Sequence, residues 1–335
     1  MSEKSNKLKN LAYLAISPKW YFMILAFTLI TLSISFSAQL HAKQLSYKKF
    51  NAGSDTTFSY QWRNKDTEYK LKFDLNNGEL ANMPNSPANY NEKLLQDFIY
   101  SEVMRIASEV DPTRADVDIT RNHDGISFSV RSRQNNYAQQ VLKKLKQTHK
   151  DAQQRYWERS FIASYTSPTG QLGIRHDHAR YSDLSRKALL PIVDAIKAMQ
   201  INNRDTREFI GILLSWVQSI PYSRLENRLY SNGAGFVSPR DLLVYNQGDC
   251  DSKATLMAAI LKAYSDYIDV KMVYLPDHAL LALAMPAKPK ETTVVHNGTQ
   301  YVLLEPTGPA QYTIGEVADS TNLALLNRQY DLTQL

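Results

Sequence analysis

One helix in the carboxyl-terminal half of the chain must lie inside a hydrophobic core. Residues 254–261, with the sequence Ala-Thr-Leu-Met-Ala-Ala-Ile-Leu, are apolar on nearly every side of a helix. A helix without a polar face is stable only when other elements cover it. Gly248 and Asp249 precede this stretch, and they favour a turn followed by a helix N-cap. We therefore predict a buried helix that begins close to Cys250.

Length and composition predict a globular protein of about two domains. The chain has 335 residues, of which 43% are hydrophobic and 21% are charged, and domains average roughly 150 residues. These proportions exclude a disordered chain, a collagen-like fibre and a membrane protein with many spans. The single cysteine, Cys250, excludes a disulfide within the chain and any metal site built from several cysteines.

The first 42 residues have the pattern of an export signal. Four lysines precede an apolar run at residues 20–38, and small or polar residues follow it, with Leu40-His41-Ala42 as a candidate cleavage end. The run of about 19 residues is also long enough to cross a bilayer once if it is not removed. Positive charge before such a run keeps that end in the cytoplasm. We expect a periplasmic or secreted protein, either freed by cleavage or held by this single membrane anchor.

The charge of the remaining chain argues against nucleic acid as a partner. The formal net charge is +6, and half of it comes from residues 1–42. What remains is small and evenly spread, whereas nucleic-acid binding requires a concentrated basic surface. The basic residues between 143 and 159 fall on a predicted helix, and we interpret them as its solvated face. We expect no nucleic-acid partner.

The predicted elements change in character near residue 165. Residues 43–165 show two hairpins of alternating strands and two helices with apolar residues at helical spacing. Residues 166–335 show amphipathic and buried helices followed by four strands, the last two joined by the hairpin turn Asn297-Gly298. We therefore predict an α+β fold, with a smaller amino-terminal domain of unknown role at 43–165 and a second domain at 166–335.

Three residues of the second domain form a candidate catalytic set. Cys250 falls in the first turn of its helix, where unpaired backbone N–H groups and the helix dipole favour a thiolate. His278 opens the apolar strand His-Ala-Leu-Leu-Ala-Leu, and Glu305 ends the strand that precedes Pro306. Each residue alone has an ordinary interpretation, as a small buried side chain, a strand-end histidine or an exposed acid. Together they supply the nucleophile, base and orienting acid that thiol catalysis requires.

The segments around these residues resemble the transglutaminase-like superfamily, which includes the bacterial transglutaminase-like cysteine peptidases. The resemblance covers roughly residues 205–310 and rests on Gly-Asp-Cys-Asp-Ser-Lys-Ala around Cys250, His-Ala-Leu-Leu-Ala-Leu from His278 and Leu-Leu-Glu-Pro-Thr-Gly around Glu305. It implies a papain-like core in which the helix that carries the cysteine packs on an antiparallel sheet. The chain departs from the family at Glu305, where Asp is more frequent, and at Phe236, where the family often has Trp.

The resemblance implies acyl transfer on a protein or peptide substrate, without a metal or cofactor. The Cys250 thiolate would attack a peptide or carboxamide carbonyl, and His278 would accept the thiol proton and later protonate the leaving amine. Glu305 would hold the imidazole in the correct tautomer, and the backbone N–H of Cys250 would be one oxyanion donor. Three side chains are candidates for the second oxyanion donor: Gln247, Gln218 and Tyr245.

Other functions stay open at this point. The thioester would pass to water in a peptidase or amidase and to an amine in a protein-glutamine cross-linking transglutaminase, and we favour hydrolysis. A catalytically inactive periplasmic binding module could retain the same fold, but it would need none of the three residues.

The sequence His176-Asp177-His178 resembles a short metal clip. Alternate positions of a strand would place both imidazoles on one face. Short motifs of this kind are often accidental, and no further cluster of ligands lies nearby in the sequence. We therefore expect a loop with a local charge pair and no metal site.

Overall fold

The protein, seen in a computed structural model, combines helices with antiparallel sheets, which confirms the predicted α+β class. The structure describes five ranges: 43–122, 125–166, 171–201, 205–225 and 235–335. The export signal predicted at residues 1–42 lies outside the described residues. Within the described ranges, no helix has the length and apolar character needed to cross a membrane.

The first sheet has three antiparallel strands in the order β1-β2-β3. Its strands are β1 (Lys43–Ala52), β2 (Asp55–Asn64) and β3 (Thr67–Asn76). The alternation in β2 and β3 places every second side chain in the core, as the sequence predicts for a hairpin. The sequence pattern does not predict β1, because most of this edge strand is exposed and charged side chains interrupt its alternation.

A group of helices and one hairpin has a hydrophobic core of its own. It contains α2 (Glu92–Ser108), β4 (Asp116–Asn122), β5 (Gly125–Arg131) and α3 (Asn135–Arg159), and the short helix α1 (Asn77–Asn82) precedes it. Its buried side chains come from one face of each long helix: Leu95, Ile99, Val103, Ile106, Val141, Leu145 and Ala152. Helical spacing predicts both helices and alternation predicts the hairpin, and the structure confirms them.

A second series of elements leads to the buried helix. It consists of the hairpin β6 (Ile162–Thr166) and β7 (Leu172–His176), then α4 (His178–Arg186), α5 (Leu190–Lys197), α6 (Thr206–Ser219), α7 (Pro239–Tyr245) and α8 (Cys250–Tyr264). Helix α8 is buried on every side from Ser252 to Leu261, which confirms the prediction from its apolar sequence.

The second sheet has five antiparallel strands in the order β10-β11-β9-β8-β12. Its strands are β8 (Val270–Leu275), β9 (His278–Ala284), β10 (Thr293–His296), β11 (Thr299–Leu304) and β12 (Asp331–Gln334), with α9 (Asp319–Leu326) before the last of them. Strand β9 is central and is buried along its length except at its two ends. One face of the sheet packs against α8, and a smaller apolar cluster covers the other.

The largest core joins the first sheet to the helices of the carboxyl-terminal half. Phe58 and Trp62 of the first sheet belong to the same buried cluster as Trp216 of α6 and Leu256 of α8. The Trp62 indole donates a buried hydrogen bond of 3.1 Å to the Ser215 hydroxyl. The strands at 43–76, which the sequence analysis assigned to a separate amino-terminal domain, therefore share a core with the helix that carries Cys250.

This shared core makes Trp62 a test of how the first sheet contributes to stability. Trp62→Ala should lower the free energy of unfolding by about 3–5 kcal/mol, because it removes a fully buried indole from the cluster. Urea denaturation measures the change. Phe50→Ala on β1, where the ring is 50% exposed, is the control and should cost far less. A loss below about 1 kcal/mol for Trp62→Ala would contradict a shared core.

Candidate active site

Cys250 is the first residue of α8, as the sequence predicts. The Asp249 carboxylate caps the helix by accepting a hydrogen bond of 3.2 Å from the backbone N–H of Ser252. Gly248 precedes the cap, and a Cβ at this position would lie 2.8 Å from a methyl carbon of Leu242, so the close approach requires glycine. The helix N-terminus therefore presents a half-buried thiol beside unpaired backbone N–H groups.

His278 and Glu305 lie at the ends of the neighbouring strands β9 and β11. His278 is the first residue of β9, and Glu305 directly follows β11. Their side chains join in a hydrogen bond of 2.7 Å between Nε2 of His278 and Oε2 of Glu305. Glu305 is 2% exposed, and its other carboxylate oxygen accepts a long hydrogen bond from the backbone N–H of Thr307. The acid is therefore held in place, and the ring of His278 is oriented by it.

Cys250, the third residue of the set, interacts with the same imidazole ring of His278. Burial by itself lowers the pKa of His278, but hydrogen bonds and charges of Cys250 and Glu305 outweigh this effect and raise the pKa to about 10. Since Nε2 of His278 is engaged with Glu305, Nδ1 is the nitrogen left to face the thiol. The structure thus brings together the three residues that the sequence analysis selected from distant segments.

Gln218 does not serve as an oxyanion donor, the role for which the sequence made it a candidate. Its amide nitrogen donates hydrogen bonds of 2.8 Å to the carbonyl of Glu305 and 2.9 Å to the carbonyl of Tyr312. Both amide protons are then in use, and the side chain is 2% exposed. Gln218 therefore fixes the segment that carries the acid and has no proton left for an oxyanion. The sequence gives no signal for this role, which depends on a tertiary contact.

Of the other two candidate oxyanion donors, Gln247 is the nearer in sequence to the thiol. It is half-buried and lies three residues before Cys250, in the segment that joins α7 to α8. Tyr245 ends α7 and is 46% exposed. The role of either side chain as the second donor stays a prediction.

Lys253, one turn after the start of α8, lies close enough to Glu305 for their charges to interact. Its ammonium donates hydrogen bonds to the backbone carbonyls of Gln218 and Thr307, and its side chain is fully buried. Burial lowers the pKa of Lys253 to about 7, although the negative charge of Glu305 opposes the shift. The residue links α8 to the segment after β11, so it helps to fix the distance between the thiol and the acid. The sequence does not reveal this role, because a lysine between Ser252 and the apolar run at 254–261 carries no local sign of being buried.

His176 and His178 do not lie on one face of a strand, as a metal clip would require, and the segment is a strand end and a helix start rather than the expected loop. His176 ends β7, and Asp177 then caps α4, so His178 lies on a helix rather than on the strand. The two ring centroids are 6.3 Å apart, with the ring planes at 87°. Across the ranges that the structure describes, no three His, Cys, Asp or Glu side chains are arranged to hold a metal ion.

His178 instead forms a hydrogen bond with Asp251, the residue that follows Cys250. Its Nδ1 is 2.6 Å from the Tyr274 hydroxyl, and its Nε2 is 3.0 Å from Oδ2 of Asp251. Burial, with a smaller effect of Arg175, lowers the pKa of His178 to about 3, so the ring is neutral.

Two carboxyls flank Cys250, and Asp249 is buried whereas Asp251 is half-buried. Burial raises the pKa of both Asp249 and Asp251, and the charge of Asp251 adds to the effect on Asp249. Both carboxylates accept a hydrogen bond from the backbone N–H of Ser252, which holds the helix start.

Phe236 belongs to the packing around α4. Its ring is fully buried, stacks on His176 at 5.1 Å and meets the edge of His178 at 4.9 Å. It supplies apolar packing behind α4 and has no proton to donate.

Comparisons with known proteins identify no relative. No family model, no curated protein and no solved structure matches the chain. The functional interpretation therefore depends on the geometry of the described residues.

The protonation of His278 gives a testable pH dependence of stability. Because its pKa is raised from 6.5 to about 10, the folded protein holds this proton more tightly than the unfolded chain. The stabilisation is complete below pH 6.5 and is lost as the pH rises through about 10. The difference in free energy of unfolding between wild type and His278→Gln should shrink by on the order of 1–3 kcal/mol across this window.

Urea denaturation at a series of pH values measures this difference. His296→Gln, on strand β10 of the same sheet, is the matched control. A difference between wild type and His278→Gln that stays constant across the window would contradict the arrangement.

Proposed function

We propose that the protein is an exported thiol enzyme that transfers the acyl group of peptide or amide bonds through Cys250, His278 and Glu305. The observation that carries the proposal is the 2.7 Å hydrogen bond from His278 to the buried Glu305, with Cys250 as the second side chain that raises the pKa of the same ring. A nucleophile, a base and an orienting acid in contact are the arrangement that thiol catalysis requires.

In the proposed reaction the Cys250 sulfur attacks the carbonyl carbon of the substrate. The thiol proton passes to His278, and the carbonyl π electrons move onto the oxygen. When the tetrahedral intermediate collapses, the C–N bond breaks, His278 gives its proton to the leaving amine, and a thioester remains on Cys250. Glu305 stabilises the imidazolium that forms between these steps.

The helix start supplies the first stabilisation of the oxyanion. The backbone N–H of Cys250 is in the first turn of α8, where no carbonyl within the helix can accept it. An N–H directed at the developing oxygen charge is worth several kcal/mol in acyl transfer, on the order of 3. Gln247 and Tyr245 stay as candidates for the second donor.

Hydrolysis is the favoured fate of the thioester, and cross-linking is the alternative. In hydrolysis His278 takes a proton from water, the hydroxide attacks the thioester carbonyl, the C–S bond breaks, and the departing Cys250 sulfur takes the proton back from His278. In cross-linking a primary amine attacks in place of water. A primary amine added to the reaction distinguishes the two, because it produces an amide product in place of the acid.

We also propose that the core has the papain-like arrangement of the transglutaminase-like superfamily. Three observations support this: α8 packs on the central strand β9, the sheet is antiparallel, and the three groups follow the chain order nucleophile, base, acid. The export proposal rests on the lysines and apolar run within residues 1–42.

Removing the sulfur should abolish turnover without unfolding the protein. Cys250→Ala replaces one small, half-buried side chain by another, so the free energy of unfolding should change by less than about 1 kcal/mol. Turnover of a mixture of fluorogenic peptide amides should fall to the uncatalysed rate. Retention of wild-type turnover by Cys250→Ala would end the assignment.

The acid can be tested with an almost isosteric change. Glu305→Gln should lower kcat by about 10²- to 10⁴-fold, because the amide cannot stabilise the imidazolium and favours the wrong tautomer. Glu316→Gln is the matched control, since this exposed glutamate lies outside the site. Equal kcat values for the two variants would show that Glu305 does not act on His278.

A further inference from the structure

A cavity of about 770 Å³ lies beside the candidate site. Its wall includes Asp251, which follows Cys250 in the chain, and Leu275, which pairs directly with His278 across strands β8 and β9. The cavity therefore borders the start of the helix that carries Cys250 and strand β8, which pairs with the strand of His278. Its volume is within the range of about 300–1,000 Å³ typical of ligand pockets.

The wall of this cavity is aromatic and apolar. Its lining includes four tyrosines, Tyr90, Tyr165, Tyr274 and Tyr330, and aliphatic residues such as Ile174 and Leu275. A surface of this composition gains free energy by covering apolar side chains of a ligand.

Most charges in the wall are already paired within the protein. Arg175 donates two hydrogen bonds of 3.1 Å to Asp331, and its guanidinium lies over the rings of Tyr165 and Tyr274 at 4.6 and 3.9 Å. Asp251 is hydrogen-bonded to the neutral ring of His178, and burial raises the pKa of its carboxyl, which disfavours its charge. Arg328, which is exposed, also borders the cavity. Since Arg175 and Asp331 compensate each other and the charge of Asp251 is disfavoured, the wall offers little attraction for a charged ligand.

A glycine on the partner strand leaves room for the ring of Tyr165. Tyr165 pairs with Gly173 in the β6–β7 hairpin, and a Cβ on Gly173 would lie 2.7 Å from the tyrosine ring. The ring therefore lies across the glycine and against Arg175, and it forms one side of the cavity.

We infer that this cavity is the subsite that binds apolar or aromatic side chains of a peptide substrate, next to the bond that Cys250 attacks. The inference rests on the proposed function. It adds the class of substrate, a peptide with hydrophobic residues beside the scissile bond, to the proposed reaction.

Peptidyl chloromethyl ketones test the inference without knowledge of the natural substrate. The Cys250 thiolate displaces chloride from the methylene carbon, so a C–S thioether forms and the C–Cl bond breaks. Two neutral probes of equal length are compared, one built from Phe and Leu and the other from Ser and Gln. Each labelling rate is divided by the rate with iodoacetamide, which corrects for any change in the thiol itself.

We expect the apolar probe to label Cys250 roughly tenfold faster than the polar probe in the wild type. Ile174→Arg places a charge in the cavity and Gly173→Ala displaces the Tyr165 ring, so each should lower this preference about fivefold or more. The matched controls should keep it: Val295→Arg on the exposed face of β10, and Gly211→Ala in α6, where a Cβ has open space.

The outcomes separate the inference from the proposed function. Equal labelling by both probes, at a rate well above that of an ordinary thiol, would overturn the subsite and leave the triad intact. A preference that survives in Ile174→Arg and Gly173→Ala would also overturn it. Labelling by both probes at the rate of an ordinary thiol would refute the proposed function, and the inference with it.

Discussion

The buried carboxylate of Glu305 is the constraint on which the rest of the site depends. An ionised acid that is 2% exposed is stable only when hydrogen bonds and positive charge replace water. His278 supplies the principal hydrogen bond, and Lys253 lies near enough for their charges to interact. The acid and the ring therefore fix each other, and the orientation of His278 toward Cys250 follows from the burial of its partner.

The segment after β11 is held by contacts that have no chemical role of their own. Gln218 binds the carbonyls of Glu305 and Tyr312, and Lys253 binds the carbonyl of Thr307. Gly308 has a φ of +62°, and a Cβ there would lie 2.2 Å from the Gln218 carbonyl oxygen. Close packing against α6 thus requires glycine at this position. The distance from acid to thiol is set by α6 and α8 together.

Local sequence predicts most elements and the catalytic set, and it fails where tertiary contacts decide. Gly248 and Asp249 indicate the start of α8, and strict alternation indicates β2 and β3, because these signals come from neighbours in the chain. Strand β12 has four residues, too few for a period to be visible. Gln218 shows the same limit, since its partners lie about ninety residues away in the chain and no local pattern reveals them.

The rate of Cys250 alkylation tests the central claim most directly. Because the chain has one cysteine, iodoacetamide reports on this sulfur alone. At pH 7 the wild type should be alkylated about tenfold or more faster than His278→Gln, because His278 takes the thiol proton and pairs with the sulfur. Equal alkylation rates in the wild type and in His278→Gln would show that His278 does not act on Cys250.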